Sequence, residues 1–230
     1  MTAVRRIHQA GNVEVIEMNY CTAFGLTATL IVGTVLPTSL AAQNTNGATT
    51  TTKTKEKVVV LAGGCFWCTE AVFERMKGVN DVVSGYIGGR NANPTYKQVC
   101  TGTTNHAEAV EVYYDPDKVT YDELLALFFK THDPTTLNRQ GGDAGTQYRS
   151  SIFYHDAEEK KAAKKYIEKI GKSFRSPIVT QLEKISTFYP AEEYHQDYFR
   201  KNPNAGYCKS VVAQKVTKAN QVLGNKAKGK

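Results

Sequence analysis

Cys65 lies in Gly63-Gly64-Cys65-Phe66-Trp67-Cys68, directly after the strand-like run Lys57-Val58-Val59-Val60-Leu61-Ala62. The glycines permit a tight turn from strand to helix. The thiol then falls at a helix N-terminus, where unpaired N–H groups and the positive end of the helix dipole favour thiolate. This is the chemistry of an accessible sulfur nucleophile. Phe66 and Trp67 follow at once and can wall an apolar slot around the sulfur. The plain alternative is a buried, inert cysteine in a turn.

Glu108 is the second chemical candidate. In His106-Ala107-Glu108-Ala109-Val110-Glu111-Val112, alternation with period two sets Glu108 on the face of Val110 and Val112. A carboxyl on an apolar face loses hydration, so its pKa rises and it becomes a proton donor near neutral pH. A carboxyl at a strand end that reaches water is the alternative. The segment His132 to Ser150 is nearly free of apolar side chains and lies between an apolar helix and a strand. A connection that long is commonly functional. Within it Tyr148 can donate a hydrogen bond and Asp143 can orient a neighbour, unless the loop simply bonds to itself. Asn204-Ala205-Gly206-Tyr207-Cys208 follows Pro203 beyond the last helix, a composition that predicts a mobile tail carrying a thiol. Cys65-x-x-Cys68 is a redox spacing, and Cys100, in a helix-like segment, is expected to be a core thiol.

These pieces together resemble the peptide methionine sulfoxide reductase A family. The matching stretches are Gly64-Cys65-Phe66-Trp67, Gly85-Tyr86-Ile87-Gly88-Gly89, Pro94-Thr95-Tyr96, Val99-Cys100-Thr101-Gly102, His106-Ala107-Glu108, the His132–Ser150 loop and Gly206-Tyr207-Cys208. The resemblance implies that Cys65 attacks the sulfur of methionine S-sulfoxide. It further implies that Phe66 and Trp67 hold the methyl group, with Tyr207 also against the substrate. Protonated Glu108 would give its proton to the oxygen, helped by Tyr96 and Tyr148, which stabilise the charge developing there. Asp143 would complete the polar side. Cys65 would be left as sulfenic acid, condense with a second thiol and be recycled by thioredoxin or a similar dithiol. Implied substrates are oxidised proteins and free methionine sulfoxide; no metal, bound organic cofactor or nucleic acid is implied, and the enzyme would be a monomer. The chain departs from the commonest pattern at Cys68, where many members carry a small residue. Cys68 and Cys208 are therefore both candidate resolving thiols, acting separately or in relay.

Two rival readings use the cysteines differently. A thioredoxin-like dithiol oxidoreductase would explain Cys65-x-x-Cys68 but neither Glu108 nor the long polar loop. A zinc module would need a second close cysteine pair, which Cys100 and Cys208 do not form.

The elements that must position these groups alternate between strand and helix. Strands are expected at 57–62, 82–87, 108–114, 151–154 and 178–185. Helices are expected at 66–76, 95–99, from the capping box Thr120-x-x-Glu123 onward, from Asp156-x-x-Glu159 onward, and at 191–200. The fold class is α+β: a two-layer α/β sandwich, a ferredoxin-like mixed sheet with helices packed on it. Residues 58–217 form the catalytic domain, 42–57 a polar, threonine-rich linker, and 218–230 a basic tail. The formal charge of +7 does not point to nucleic acid, because residues 209–230 hold six lysines and no acid. The uncharged run 23–42, ending in Ser39-Leu40-Ala41, reads as an export signal cut near residue 41, or as an uncleaved anchor. Either would place the enzyme outside the cytoplasm or on a membrane.

Overall fold

The computed structural model describes residues 4–9, 12–17 and 56–229; the run 23–42 and most of the expected linker lie outside the described residues. The chain divides into two units, residues 1–52 and 53–230. In the first, β1 (Val4–Gln9) and β2 (Asn12–Glu17) pair antiparallel, Val4 opposite Glu17 and Gln9 opposite Asn12.

The second unit is built on β3 (Lys57–Gly63), α1 (Phe66–Phe73), β4 (Val79–Ile87), β5 (Ala107–Tyr114), α3 (Tyr121–Thr131) and β8 (Ser150–Tyr154). The short α2 (Tyr96–Cys100) interrupts the connection from β4 to β5. The sheet runs β10 (Tyr189–Pro190), β4, β5, β3, β8, β9 (Gln181–Lys184). All neighbours are antiparallel except the parallel pair β8 and β9. The inner order β4-β5-β3-β8 within a β-α-β-β-α-β chain is the ferredoxin-like arrangement that was expected.

Local signals account for most of these elements. Thr120 and Glu123 form the expected capping box of α3, and Thr95 and Gln98 form another at α2. Asp156 caps α4 (Ala157–Gly171) by accepting from the Glu159 amide at 2.8 Å. The strands are covered on both faces. One face packs Val59, Leu61, Val110 and Val112 against Phe66, Phe73, Leu124 and Phe128 of the helices. The other gathers Val60, Ala62, Ala107, Ala109, Phe153 and Phe188. Every residue of β5 is therefore buried, including Glu108 at 1% exposure.

Three expectations change in the tertiary structure. The stretch 191–200 is not one helix: a 3-10 turn at Glu193–His195 and α5 (Tyr198–Lys201) are separated by Asp197, whose φ is 56°. The reason is a partner for the broken backbone, since the buried Glu70 carboxylate accepts from the Asp197 and Tyr198 amides at 3.0 and 3.2 Å. The strand expected at 178–185 shortens to Gln181–Lys184. The segment after residue 203 is no loose tail. Cys208–Val212 form a π-helical turn that leads into α6 (Ala213–Leu223). Val212, Val216, Ala219 and Leu223 bury the apolar stripe of that segment in the core. Beyond it, the Lys77 amide donates to the Lys226 carbonyl at 2.8 Å, the Lys228 amide to the Arg75 carbonyl at 2.7 Å, and Lys226 pairs with Glu123. The lysines of 218–228 thus decorate a docked segment and not a solvated end.

The turn between β3 and α1 is tightly constrained. Gly64 has a φ of +94°, and a Cβ built there would lie 2.5 Å from the Gln140 side chain. Gln140 is itself tied across its loop, accepting from the Asp133 amide and donating to the Asp133 carbonyl, both at 3.1 Å. Gly64→Ala therefore meets both a strained backbone and a clash. It is expected to destabilise the domain by about 2 kcal/mol or more in urea unfolding and to displace Cys65.

Candidate active site

Cys65 is the N-cap residue of α1, with φ −54° and ψ 124°, and its side chain makes no capping hydrogen bond. The sulfur is thus left for other partners. Its carbonyl accepts from the Cys68 and Thr69 amides at 3.1 and 3.4 Å, which locks the first turn. The expectation of a favoured thiolate is not met in this closed site. Burial, reinforced by the adjacent Cys68 thiol and the Glu108 charge, pushes the Cys65 thiol up, while the neighbouring Cys65 draws Cys68 down. One reason is visible at the helix terminus: the first amide of α1, Phe66 N–H, points elsewhere and donates to Glu108 Oε2 at 3.0 Å.

Glu108 stands opposite Tyr86 in the β4–β5 ladder, one pair from its end, on a central strand of the sheet. Burial raises its carboxyl to about 8, only partly offset by the Phe66 amide; the charges of Asp143 and Cys68 raise it further. The acid expected from strand alternation is therefore largely protonated at neutral pH. Tyr96 and Tyr148 both feel the Glu108 charge, and burial raises both phenols, so they remain neutral donors. Tyr96 comes from α2 and Tyr148 from the long loop, both within electrostatic reach of Glu108.

That loop is partly self-bonded, as the Gln140–Asp133 pair shows, but it also reaches the thiols. Tyr207 O–H donates to Asp143 Oδ2 at 2.6 Å, and the Tyr207 oxygen lies 3.8 Å from Cys68 Sγ. Asp143 thus orients a neighbour from the segment that precedes Cys208. Among the thiols, Cys65 keeps 7% exposure, Cys68 1% and Cys208 none. Of these three, Cys65 is the one that still opens to solvent. Burial raises the Cys208 thiol, and its charged neighbour is Cys68. Cys100, expected in the core, is exposed at the end of α2, because the buried face of that short helix is supplied by Val99.

The aromatic wall is larger than the sequence pattern indicates. Phe66 is buried among Tyr86, Tyr96 and His195, with ring centroids 5.8, 6.3 and 5.1 Å away. Half-buried Trp67 stacks on Tyr198 at 3.7 Å and 7°, and meets Tyr207 edge-on at 6.0 Å. Its indole N–H donates to His195 Nδ1 at 3.0 Å. Glu192 accepts from the Tyr86 hydroxyl at 2.9 Å and the Tyr96 amide at 2.8 Å. Glu70, Glu192, His195 and Tyr198 were not singled out from the sequence. The polar-aromatic run Glu192-Glu193-Tyr194-His195-Gln196 is the signal that was available, hidden by reading 191–200 as one amphipathic helix. Among the described residues, no group of three His, Cys, Asp or Glu side chains is arranged to hold a metal ion.

A ferredoxin-like scaffold that sets a thiol at a helix N-terminus beside a buried protonated acid, with two further thiols behind it, defines a thiol-dependent oxidoreductase. Known proteins narrow this. The family model for peptide methionine sulfoxide reductase matches residues 57–227. A reductase MsrA 1 from Rhodopirellula baltica is 66% identical over 178 residues, covering 77% of this chain and 93% of the relative. One from Deinococcus radiodurans is 52% identical over 186 residues, covering 80% and 90%. Among solved structures, reduced Mxr1 from Saccharomyces cerevisiae is 41% identical with a TM-score of 0.62, covering 66% of this chain and 89% of that one. Methionine sulfoxide reductase A of Corynebacterium diphtheriae is 38% identical with a TM-score of 0.63, covering 65% and 76%. The chain belongs to the peptide methionine sulfoxide reductase A family. It is an oxidoreductase that reduces methionine sulfoxide by cysteine chemistry.

The protonation of Glu108 sets a pH dependence. A donor with a pKa of about 8 is loaded below that value and lost above it. The single-turnover rate of methionine formation is expected to fall about tenfold per unit on the alkaline side of pH 8. Glu108→Gln should remove that limb of the profile together with most of the rate, as rapid-quench measurement would show.

Proposed function

We propose that the chain repairs methionine S-sulfoxide, in oxidised proteins and as the free amino acid, with Cys65 as nucleophile, Glu108 as acid and Cys68 as first resolving thiol. The observation that carries this reading is the Phe66 amide bonded to Glu108. It fixes the acid to the first residue after the nucleophile, so that proton donor and sulfur address one substrate atom pair. Cys65 sulfur attacks the sulfoxide sulfur as Glu108 protonates the oxygen, with hydrogen bonds from Tyr96 and Tyr148. The substrate methyl lies against Phe66 and Trp67, with Tyr207 at the edge. The oxygen passes to Cys65 as sulfenic acid, methionine leaves, and the thiol proton of Cys65 restores Glu108.

Cys68 then condenses with the sulfenic acid. A Cys65–Cys68 disulfide forms and water leaves. Two features favour this order. Cys68 lies in the first turn of the same helix, its amide bonded to the Cys65 carbonyl at 3.1 Å, whereas Cys208 is fully buried on a separate segment. Cys208, whose charged neighbour is Cys68, exchanges next to give Cys68–Cys208 and free Cys65. Thioredoxin or a similar dithiol closes the cycle by thiol–disulfide exchange. No bound cofactor enters any step, and the enzyme works as a monomer. The uncharged run 23–42 supports export or membrane anchoring, in which case the reductant is an extracytoplasmic dithiol.

One turnover without reductant tests the order. Peptide mapping after excess methionine S-sulfoxide is expected to show Cys65–Cys68 first and Cys68–Cys208 later, with one methionine formed per early disulfide. A direct Cys65–Cys208 bond in the earliest quench would remove Cys68 from the relay. Cys65→Ser is expected to abolish methionine formation, and turnover in that variant would overturn the nucleophile assignment.

A further inference from the structure

The indole of Trp67 is held from two sides. Tyr198 stacks flat on it at 3.7 Å, and His195 Nδ1 accepts its N–H at 3.0 Å. Accepting requires that Nδ1 carry no proton, so the imidazole is neutral with its proton on Nε2. The surroundings agree with a neutral ring. His195 is 1% exposed, and its ring packs on Phe66 at 5.1 Å, Tyr96 at 4.3 Å and Tyr194 at 4.1 Å. The charged group facing it is Glu192, on its own segment; α1 presents Phe66 and Trp67, and α2 presents the phenol of Tyr96. Burial lowers the His195 pKa against that charge. Nε2 is buried, and the side-chain hydrogen bond that the ring makes among the described residues is the one at Nδ1.

We propose that His195 is a positioning residue for the sulfoxide reduction, whose neutral imidazole fixes the Trp67 indole as the wall of the slot that receives the substrate methyl. This rests on the methyl slot assigned to Phe66 and Trp67 above. The physical argument is rotational. Trp67 is half-buried, and stacking on Tyr198 sets the plane of the indole but leaves it free to slide within that plane. A hydrogen bond at the indole edge removes the sliding. An apolar wall displaced by a fraction of an ångström loses contact with a methyl group on one side, so the loss falls on substrate binding more than on the chemical step.

Trp67 is the single tryptophan of the chain, which makes its indole N–H one resolvable signal. In wild-type protein labelled with 15N-tryptophan, that proton is expected to exchange at least about fivefold more slowly than a free indole, since the bond to His195 must open first. Exchange at the free-indole rate would overturn the proposal without any variant. His195→Phe keeps the aromatic volume and removes the acceptor. It is expected to raise the KM for methionine S-sulfoxide about fivefold to tenfold with kcat nearly unchanged, and to shift the Trp67 emission. His195→Asn, whose Oδ1 falls near the place of Nδ1, should recover most of both. An unchanged KM and emission in His195→Phe, or an Asn variant as impaired as Phe, would overturn the positioning role. If wild-type protein formed no methionine, the proposed function would fail, while the exchange and emission measurements would still report on the His195–Trp67 bond.

Discussion

The site depends on a carboxyl buried near the start of a central strand and bonded to one helical amide. Glu108 sits on a central strand covered on both faces, and water cannot reach it to stabilise its charge. The cost of burying it ionised is avoided by keeping the proton, and that proton is what the reaction consumes. The Phe66 amide donates to the same group and supplies one of the few polar contacts available in that region. The bond joins the start of α1 to β5, so nucleophile and acid hold a common position even if the surrounding loops move.

A consequence follows for the nucleophile. Helix N-termini favour anions through their free amides, and here the first amide is committed to Glu108. Cys65 is held toward the protonated form by burial and by the adjacent Cys68 and Glu108. The resting site therefore holds its protons on Glu108 and Cys65 and exposes little reactive thiolate. Selectivity gains from this. A free thiolate at 7% exposure would react with many oxidants, whereas a site that ionises in concert with protonation of a bound sulfoxide favours its substrate.

The C-terminal segment is the part of the fold that joins resolution to structure. Its π-helical turn places Cys208 in the core behind Cys68, and Tyr207, one residue earlier, bridges Asp143 and Cys68. The bulged turn sits at the entry to α6, whose apolar stripe anchors it. Exchange of a disulfide between Cys68 and Cys208 then needs local rearrangement and not a long swing, and delivery of electrons from a partner requires that turn to open.

Much of this was legible in residue types and spacing. Cys65 after a glycine turn, Glu108 on the face of Val110 and Val112, the capping boxes and the alternation of strands and helices follow from rules that act over a few residues. Burial reversed the expected thiolate, because a desolvation cost depends on what packs above the sulfur and not on its neighbours in the chain. The lysine-rich end looked solvated because lysines dominate its composition, yet four apolar side chains at helical spacing were enough to dock it. Glu70, Glu192 and His195 act through partners 96 to 128 positions away, and separations of that size leave no local pattern. The sequence by itself determined which groups can do chemistry, since reactivity belongs to residue type and immediate backbone. Tertiary structure decided their protonation, their order of contact and the rigidity of the aromatic wall, because those depend on the water and partners that folding removes or supplies.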